Sequence, residues 1–123
     1  MQQPGPSDFI DIHNHDATPA EGIFIVENLM AHENKIPSDS RGMVYTIGIH
    51  PWFLNENNKN EQLAKVRSSV AADGVIAVGE AGFDRLRGPE IELQRKVFRE
   101  QVLIAEQNEM PVFIHCVKAW DEL

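Results

Sequence analysis

Five short apolar runs divide the chain, and each has the length and composition of a β-strand. β-Branched and aromatic residues, which strands favour, dominate these runs, whereas polar residues, proline and glycine fill the segments between them. The run VIAVG is continuously apolar and indicates a strand that is buried on both faces. The predicted strands are residues 8–12, 22–29, 43–49, 75–79 and 111–115.

Two amphipathic segments between the later strands predict helices. Leu63, Val66 and Val70 recur at helical spacing within residues 60–72. A longer helix is predicted from Pro89 to about residue 108, because proline favours the first helical turn. The apolar face expected for this helix consists of Val97, Phe98, Val102, Ile104 and Ala105.

The alternation of strands and helices predicts an α/β fold built from parallel βαβ units. Residues 30–41 are polar and contain a proline, so we expect a loop there. Residues 117–123 are predicted to begin a further helix. In folds of this class the chemistry gathers at the carboxyl ends of the strands, which directs attention to the residues that follow each apolar run.

Composition places the chain among ordinary globular domains, with 123 residues of which 42% are hydrophobic. Residues 9–123 are expected to form one domain, and residues 1–8 a flexible leader. No apolar run approaches the roughly 20 residues that span a bilayer, and the first residues lack the pattern of a signal peptide. The single cysteine, Cys116, suits a reducing compartment, so we expect a cytoplasmic protein that does not associate with a membrane.

The net charge limits how the chain could contact nucleic acid. A formal value of −8 argues against a protein that grips DNA through basic side chains alone. It leaves a polyanionic substrate open, because bound metal ions supply positive charge locally. The sequence contains no P-loop, dinucleotide-binding fingerprint or G-x-S-x-G motif, so any chemistry must come from side chains scattered along it.

Side chains that bind metals or move protons follow several of the predicted strands. The carboxyl ends of parallel strands meet at one end of a sheet, so we expect these side chains to lie close together. The candidates are His13 and His15 in HNH, His50 in GIHPW, Glu80 and Asp84 in GEAGFD, and His115 in PVFIH.

Some candidates have a structural interpretation beside the functional one. His13 and His15 project from the same side of a strand end and can bind one cation, or they can belong to a polar loop. Glu80 follows an apolar run, so its carboxylate needs either a cation or an ion-pair partner. His115 fits a ligand or a hydrogen-bonded core histidine.

The other two candidates are less specific. His50 fits a ligand, a substrate contact or a loop hydrogen bond, and Asp84 fits a role in the site or a brace for its loop. Together, imidazole and carboxylate suit zinc, manganese or iron better than calcium, which binds oxygen only. Such a cluster indicates hydrolysis, because a bound metal lowers the pKa of water and holds the bond to be cleaved.

Four motifs carry a resemblance to a known family. The stretches FIDIHNH, GIHPW, AVGEAGFD and LQRKVFREQVLIAEQNEMPVFIHC occur in the order found in that family and extend from Phe9 to the end of the chain. They resemble the TatD family of metal-dependent hydrolases and deoxyribonucleases. The resemblance implies a TIM-barrel fold and hydrolysis of phosphodiester bonds by a two-metal mechanism, with DNA or another phosphoester as substrate.

The resemblance also implies a role for each candidate. Glu80 would bridge two metal ions as the central catalytic group, while His50 and Asp84 match motif positions that contact substrate or support the ligands. The expected cofactors are two divalent ions in a complete site, drawn from zinc, manganese, magnesium and iron. The metal ligands that the family implies are His13, His15, Glu80 and His115.

The barrel of this family is longer than the sequence, since such barrels use more than about 200 residues and eight strands. We therefore expect an N-terminal part of the barrel with about five strands, and a complete active site only with a further histidine and a late aspartate from later strands. Open sheet edges predict pairing with a second copy, burial against another polypeptide, or poor order of the last residues. Two alternatives stay open: an amidohydrolase-like enzyme that cleaves C–N or carboxyl-ester bonds, and an inactive fragment that binds metal.

Overall fold

The computed structural model of the chain describes residues 9–15, 23–33 and 43–123, and for residues 9–14, 23 and 24 it describes the backbone alone. These residues form a parallel sheet in which neighbouring strands follow one another along the chain, as they do in a β/α barrel. The strands are β1 (Phe9–Asn14), β2 (Ile23–Met30), β3 (Met43–Gly48), β4 (Val75–Asp84) and β5 (Val112–Val117).

Two α-helices connect the later strands. Helix α1 (Lys59–Ser69) follows β3, and helix α2 (Ile91–Gln107) follows β4 and packs against both β4 and α1. Short 3₁₀ helices occupy Pro51–Phe53, directly after β3, and Trp120–Glu122, after β5. The prediction of five strands and two helices in parallel βαβ order is confirmed for the described residues.

Most element boundaries differ from the sequence prediction by one to three residues, and two larger differences lie at the end of β4 and after β5. β4 does not stop at residue 79 but continues to Asp84, because its last residues pair with β5 up to Val117. The predicted helix at 117–123 is a single 3₁₀ turn, since Lys118 has a φ of 55° and this left-handed conformation ends the strand without starting an α-helix. Tertiary pairing thus extends a glycine-rich strand whose local propensity is weak.

The main core fills the space between the sheet and the two helices. Alternate residues of β3 point into it, and Ile47 is fully buried there. The opposite face of the sheet is apolar near the start of the strands, at Val26 and Val44, and polar two residues later, at Asn28 and Thr46. Other members of the main core are Val66, Val78, Leu93, Val97 and Ile104.

Strand β4 lies directly against the backbone of Gly48 at the end of β3. A Cβ atom at this position would lie 2.5 Å from the carbonyl carbon of Gly79 and 2.7 Å from the carbonyl oxygen of Glu80. Both contacts are with backbone, which cannot rotate away as a side chain could. Only glycine therefore allows the end of β3 to lie against the part of β4 that carries Glu80.

Replacing Gly48 with alanine should lower the free energy of unfolding by about 1–3 kcal/mol or more, the usual cost of forcing extra atoms into a packed interior. Urea unfolding followed by circular dichroism measures this change. Ser68→Ala on the exposed surface of α1 is the control, and its effect should stay within about 0.5 kcal/mol. An equal effect of the two substitutions would contradict the close approach of β3 and β4.

Candidate metal centre

Three imidazoles surround the carboxylate of Glu80 at the carboxyl end of the sheet. The Nε2 atom of His15 lies 3.2 Å from Oε2 of Glu80. The other oxygen, Oε1, lies 3.3 Å from Nδ1 of His115 and 3.5 Å from Nε2 of His50. His15 and His50 follow β1 and β3, Glu80 lies within β4 and His115 within β5, so the convergence expected from the sequence is present for His15, His50, Glu80 and His115.

His13 lies in β1, but its side chain is outside the described residues, and its role as a ligand stays a prediction. His15 follows at the end of the same strand and is half-buried. His50 and Asp84 are both buried and lie beside the cluster.

A register shift in the sheet positions Glu80. Gly79 pairs with Phe113 and Ala81 with Ile114, so Glu80 is an extra residue between two consecutive pairs of β4 and β5. An extra residue of this kind re-aims its side chain relative to the regular alternation of a strand. The carboxylate thereby reaches the end of the sheet where the three imidazoles lie.

In His15 and His115, the ring nitrogen that faces away from Glu80 forms a hydrogen bond that sets the tautomer of the ring. Nδ1 of His15 lies 2.9 Å from the backbone oxygen of Asn28, which can only accept, so this nitrogen carries the proton. Nε2 of His115 likewise donates to Oδ2 of Asp84, at 3.1 Å. In the neutral form of each ring the other nitrogen presents its lone pair to Glu80, the arrangement typical of a metal-ligating histidine with a carbonyl or carboxylate behind it.

His50 has the opposite tautomer. The backbone N–H of Trp52 donates to Nδ1 of His50 over 3.2 Å, so in the neutral ring the proton is on Nε2. That N–H points at Oε1 of Glu80. His50 is therefore a hydrogen-bond donor to the cluster, although its ring atoms lie as close to Glu80 and His115 as those of a ligand would.

Asp84 is buried and accepts four hydrogen bonds. Its Oδ2 accepts from the indole Nε1 of Trp52 at 2.7 Å as well as from His115, and its Oδ1 accepts from the backbone N–H groups of Leu86 and Arg87. Burial acts to raise the pKa of Asp84, but the hydrogen bonds from Trp52, His115, Leu86 and Arg87 outweigh it and lower the pKa to about 2. The carboxylate is therefore ionised at neutral pH and holds the His115 ring.

A buried polar chain that the sequence analysis missed runs beneath Glu80. The side-chain amide of Asn28 donates to Oγ1 of Thr46 at 2.9 Å, and that hydroxyl donates to the backbone oxygen of Gly79 at 2.9 Å. Since the backbone oxygen of Asn28 also holds His15, the chain links the ends of four strands. The sequence does contain a signal for this polar chain, because in both β2 and β3 a polar residue, Asn28 or Thr46, comes two positions after a valine.

Two buried glutamines of α2 hold the strand ends that carry His50 and Asp84. Oε1 of Gln101 accepts from the backbone N–H of Ile49 at 2.7 Å, one residue before His50. Gln94 accepts from the backbone N–H of Asp84 at 2.8 Å and donates to its backbone oxygen at 3.0 Å. The two glutamines are seven residues apart and share one helix face, which places both strand ends against the same rigid element.

Replacing Gln94 with methionine should lower the free energy of unfolding by about 3 kcal/mol or more. The change leaves the backbone groups of Asp84 and the oxygen of Pro89 without their partner, and each buried unsatisfied group costs about 1–3 kcal/mol. Chemical denaturation measures the loss. Gln107→Met, at an exposed position at the end of the same helix, is the matched control and should be nearly neutral.

The geometry fits a divalent cation. Nε2 of His15 and Nδ1 of His115 lie 3.2–3.3 Å from the two carboxylate oxygens, and in the neutral rings each of these nitrogens offers a lone pair to a cation placed between it and the carboxylate. Donor atoms bound tetrahedrally at about 2.0–2.2 Å lie about 3.3–3.6 Å apart. The observed separations match that spacing, and the mixture of nitrogen and oxygen donors suits zinc or a similar transition metal.

Comparison with known proteins identifies the family. The model of the family described as TatD related DNase matches residues 22–123. The chain belongs to the TatD family. Its similarity to the 3'-5' ssDNA/RNA exonuclease TatD of Pectobacterium carotovorum subsp. carotovorum (strain PC1) is 37% identity over 72 residues, which cover 58% of this chain and 27% of that protein.

Two further TatD-related proteins extend the comparison. The metal-dependent hydrolase YcfH of Escherichia coli (strain K12) is 29% identical over 85 residues, covering 68% of this chain and 31% of YcfH. The crystal structure of YJJV, a TatD homologue from Escherichia coli K12, superposes with a TM-score of 0.67 at 24% identity and covers 94% of this chain and 53% of YJJV. The superposition confirms the predicted α/β fold of the TIM-barrel type.

The chain thus matches about a third or less of the length of these curated TatD-family relatives and about half of the YJJV chain.

Within residues 9–15, 23–33 and 43–123, no helix is long and apolar enough to cross a membrane.

Proposed function

We propose that this chain supplies metal-binding and substrate-orienting residues to a hydrolase that cleaves phosphodiester bonds of nucleic acid. The observation that carries the proposal is the arrangement around Glu80, where lone pairs of two histidines face the two oxygens of one carboxylate. Each histidine is held from behind by an acceptor, as metal-binding histidines commonly are. In the neutral rings these hydrogen bonds leave a lone pair on each nitrogen that faces the carboxylate, as metal binding requires.

Glu80 is suited to bridge two divalent ions. Its Oε2 faces His15, which follows His13 on the same strand end, and its Oε1 faces His115. One ion would be held by His13, His15 and Glu80, and the other by Glu80 and His115. When bound, such a pair of ions lowers the pKa of water and stabilises both the attacking and the leaving oxygen of a phosphodiester.

The remaining polar groups orient the ligands and the substrate. His50 carries a proton on Nε2 and can donate it in a hydrogen bond to a phosphoryl oxygen that approaches Glu80. Asp84 keeps the lone pair of His115 directed at the cluster. Trp52 braces both, because its backbone N–H holds His50 and its indole N–H holds Asp84.

Single-stranded nucleic acid is the substrate class that we propose. Relatives of the chain carry the name 3'-5' ssDNA/RNA exonuclease. A formal net charge of −8 opposes binding of a polyanion by the surface as a whole, and divalent ions at the candidate centre would offset this repulsion locally. We further propose a cytoplasmic location, since a lone cysteine suits a reducing compartment.

Hydrolysis of bis-para-nitrophenyl phosphate by a TatD barrel that contains this chain together with the later strands tests the proposal, because a complete site needs residues from those strands. We expect activity that depends on added manganese, magnesium or zinc and disappears with a chelator, because the imidazole and carboxylate donors hold the catalytic ions. The matching para-nitrophenyl carboxyl ester and anilide should be cleaved far more slowly. Faster cleavage of the ester or the anilide would favour the amidohydrolase-like alternative. Absence of hydrolysis despite measured metal binding would contradict the proposed phosphodiesterase.

A further inference from the structure

An exposed tryptophan and an arginine lie together beside the candidate metal centre. Cζ of Arg87 is 4.1 Å from the centroid of the Trp52 ring, a cation–π contact. Trp52 has 40% of its surface exposed, and Arg87, in the loop after β4, is exposed as well. We call this pair the Trp52–Arg87 platform.

The platform is fixed to the centre by Asp84. One oxygen of this carboxylate accepts from the indole N–H of Trp52, and the other accepts from the backbone N–H of Arg87. The Trp52 ring also packs edge-on against His50 and His115, with centroid separations of 5.0 Å and 6.1 Å. A ligand on the platform would therefore lie next to the groups that surround Glu80.

The charge of Arg87 is available to a ligand. Three arginines of the described segments pair with carboxylates: Arg67 with Glu100, Arg85 with Asp121 and Glu122, and Arg95 with Glu92 and Glu122. Arg87 forms no such ion pair within the described part of the chain, and its guanidinium lies on an aromatic ring instead. The chain has a net charge of −8, so few of its cations are expected to be free for an anionic substrate. The N–H groups of the Arg87 guanidinium lie beside the candidate phosphodiesterase site and are suited to bind a phosphate.

We propose that the Trp52–Arg87 platform holds a nucleotide of a single-stranded nucleic acid beside the metal centre, with a base stacked on the platform and a phosphate at the guanidinium. Proteins bind single strands in this way, because every base has a π-face and arginine or aromatic planes stack on it. The proposal rests on the proposed function and adds the feature that would distinguish a nucleic acid from a small phosphodiester.

Binding of two strands separates base stacking from phosphate contact. A fluorescently labelled oligothymidylate and an abasic strand of equal length are titrated with the full chain in a chelator, and anisotropy reports binding. Trp52→Leu should weaken binding of the oligothymidylate by about fivefold or more, the lower end of the effect of removing one stacking side chain, and should leave binding of the abasic strand unchanged. Trp52→Phe, which keeps a ring, should retain most of the affinity.

Arg87→Ala should weaken binding of both strands and reduce the slope of log K against log salt by about 0.7, the value for one phosphate contact on a single strand. Arg99→Ala, which removes an exposed arginine from the middle of α2, is the matched control and should leave the slope unchanged. Because Arg87 is a surface residue, this test remains decisive if Trp52→Leu fails to fold.

Three results would overturn the platform: equal binding of both strands by the parent chain, equal weakening of both strands by Trp52→Leu, or equal salt slopes for Arg87→Ala and Arg99→Ala. Hydrolysis of bis-para-nitrophenyl phosphate separates this failure from failure of the proposed function. Metal-dependent hydrolysis without base-dependent binding would refute the platform alone. Base-dependent binding without hydrolysis would support the platform and count against the phosphodiesterase.

Discussion

Replacing Glu80 with glutamine should reduce metal-dependent phosphodiester hydrolysis by more than about 100-fold, the upper end of the effect of residues that only orient metal ligands. The amide has one oxygen where the carboxylate has two. Its NH₂ group would face a lone pair of His15 or His115 and form a hydrogen bond there, which occupies the position that an ion needs. The substitution therefore removes the negative charge and also prevents an ion from reaching the lone pair of His15 or His115.

The fold should persist in this variant. Glutamine has nearly the same shape as glutamate and can hydrogen-bond to the surrounding imidazoles through its oxygen or its NH₂ group, so the variant should unfold cooperatively in a chelator, as the parent does. Calorimetric titration with manganese or zinc reports the loss of ion binding. Glu106→Gln, an exposed position on α2, is the control. Equal metal binding by the variant and the parent would remove Glu80 from the site.

The sequence alone predicted the elements that local pattern determines. Apolar runs and helical spacing located all five described strands and both helices, and the rule that chemistry gathers at the carboxyl ends of parallel strands led from those elements to Glu80 and its neighbours. The family resemblance assigned ligand roles, which the tautomers of His15 and His115 support in physical terms. The side chain of His13 lies outside the described residues, so its role rests on the sequence.

Features that depend on tertiary contacts were harder to predict. Of the predicted apolar face of α2, Val97, Ile104 and Ala105 are buried, but Phe98 and Val102 are only half-buried. The fully buried stripe also includes Gln94 and Gln101. A hydrophobicity pattern treats a glutamine as a surface residue, although here each one satisfies backbone groups at a strand end. The available signal in the sequence was that Gln94 and Gln101 are seven residues apart, next to Leu93 and Val102, which places them on one face of the helix.

The role of His50 shows the same limit at the centre itself. Spacing left it open between a ligand, a substrate contact and a loop hydrogen bond. The decision depends on which ring nitrogen carries the proton, and that follows from the N–H of Trp52 in the 3₁₀ helix after β3. Because Nδ1 of His50 accepts the hydrogen bond that caps this turn, the N–H at Nε2 faces Glu80. The spacing of residues in the sequence does not reveal this arrangement.

Replacing Asp84 with asparagine should also reduce activity strongly, because it disturbs the tautomer of His115. The carboxylate accepts hydrogen bonds at both oxygens, and an amide can accept at only one. With the amide oxygen toward the backbone N–H groups of Leu86 and Arg87, the NH₂ group faces Nε2 of His115. That nitrogen must then accept, the proton moves to Nδ1, and the lone pair that faced Glu80 is lost.

We expect hydrolysis to fall by about 10–100-fold from weaker metal binding, and by as much as about 10⁴-fold if the tautomer changes completely, as in the aspartate-to-asparagine change of a serine protease triad. Long-range ¹⁵N–¹H correlation spectra of the His115 ring read the tautomer directly, with the parent protonated at Nε2 and the variant at Nδ1. Asp121→Asn, on the exposed partner of Arg85, is the matched control. A His115 ring that keeps its proton on Nε2 in the Asp84 variant, together with parental activity, would show that Asp84 braces the loop and does not set the metal ligand.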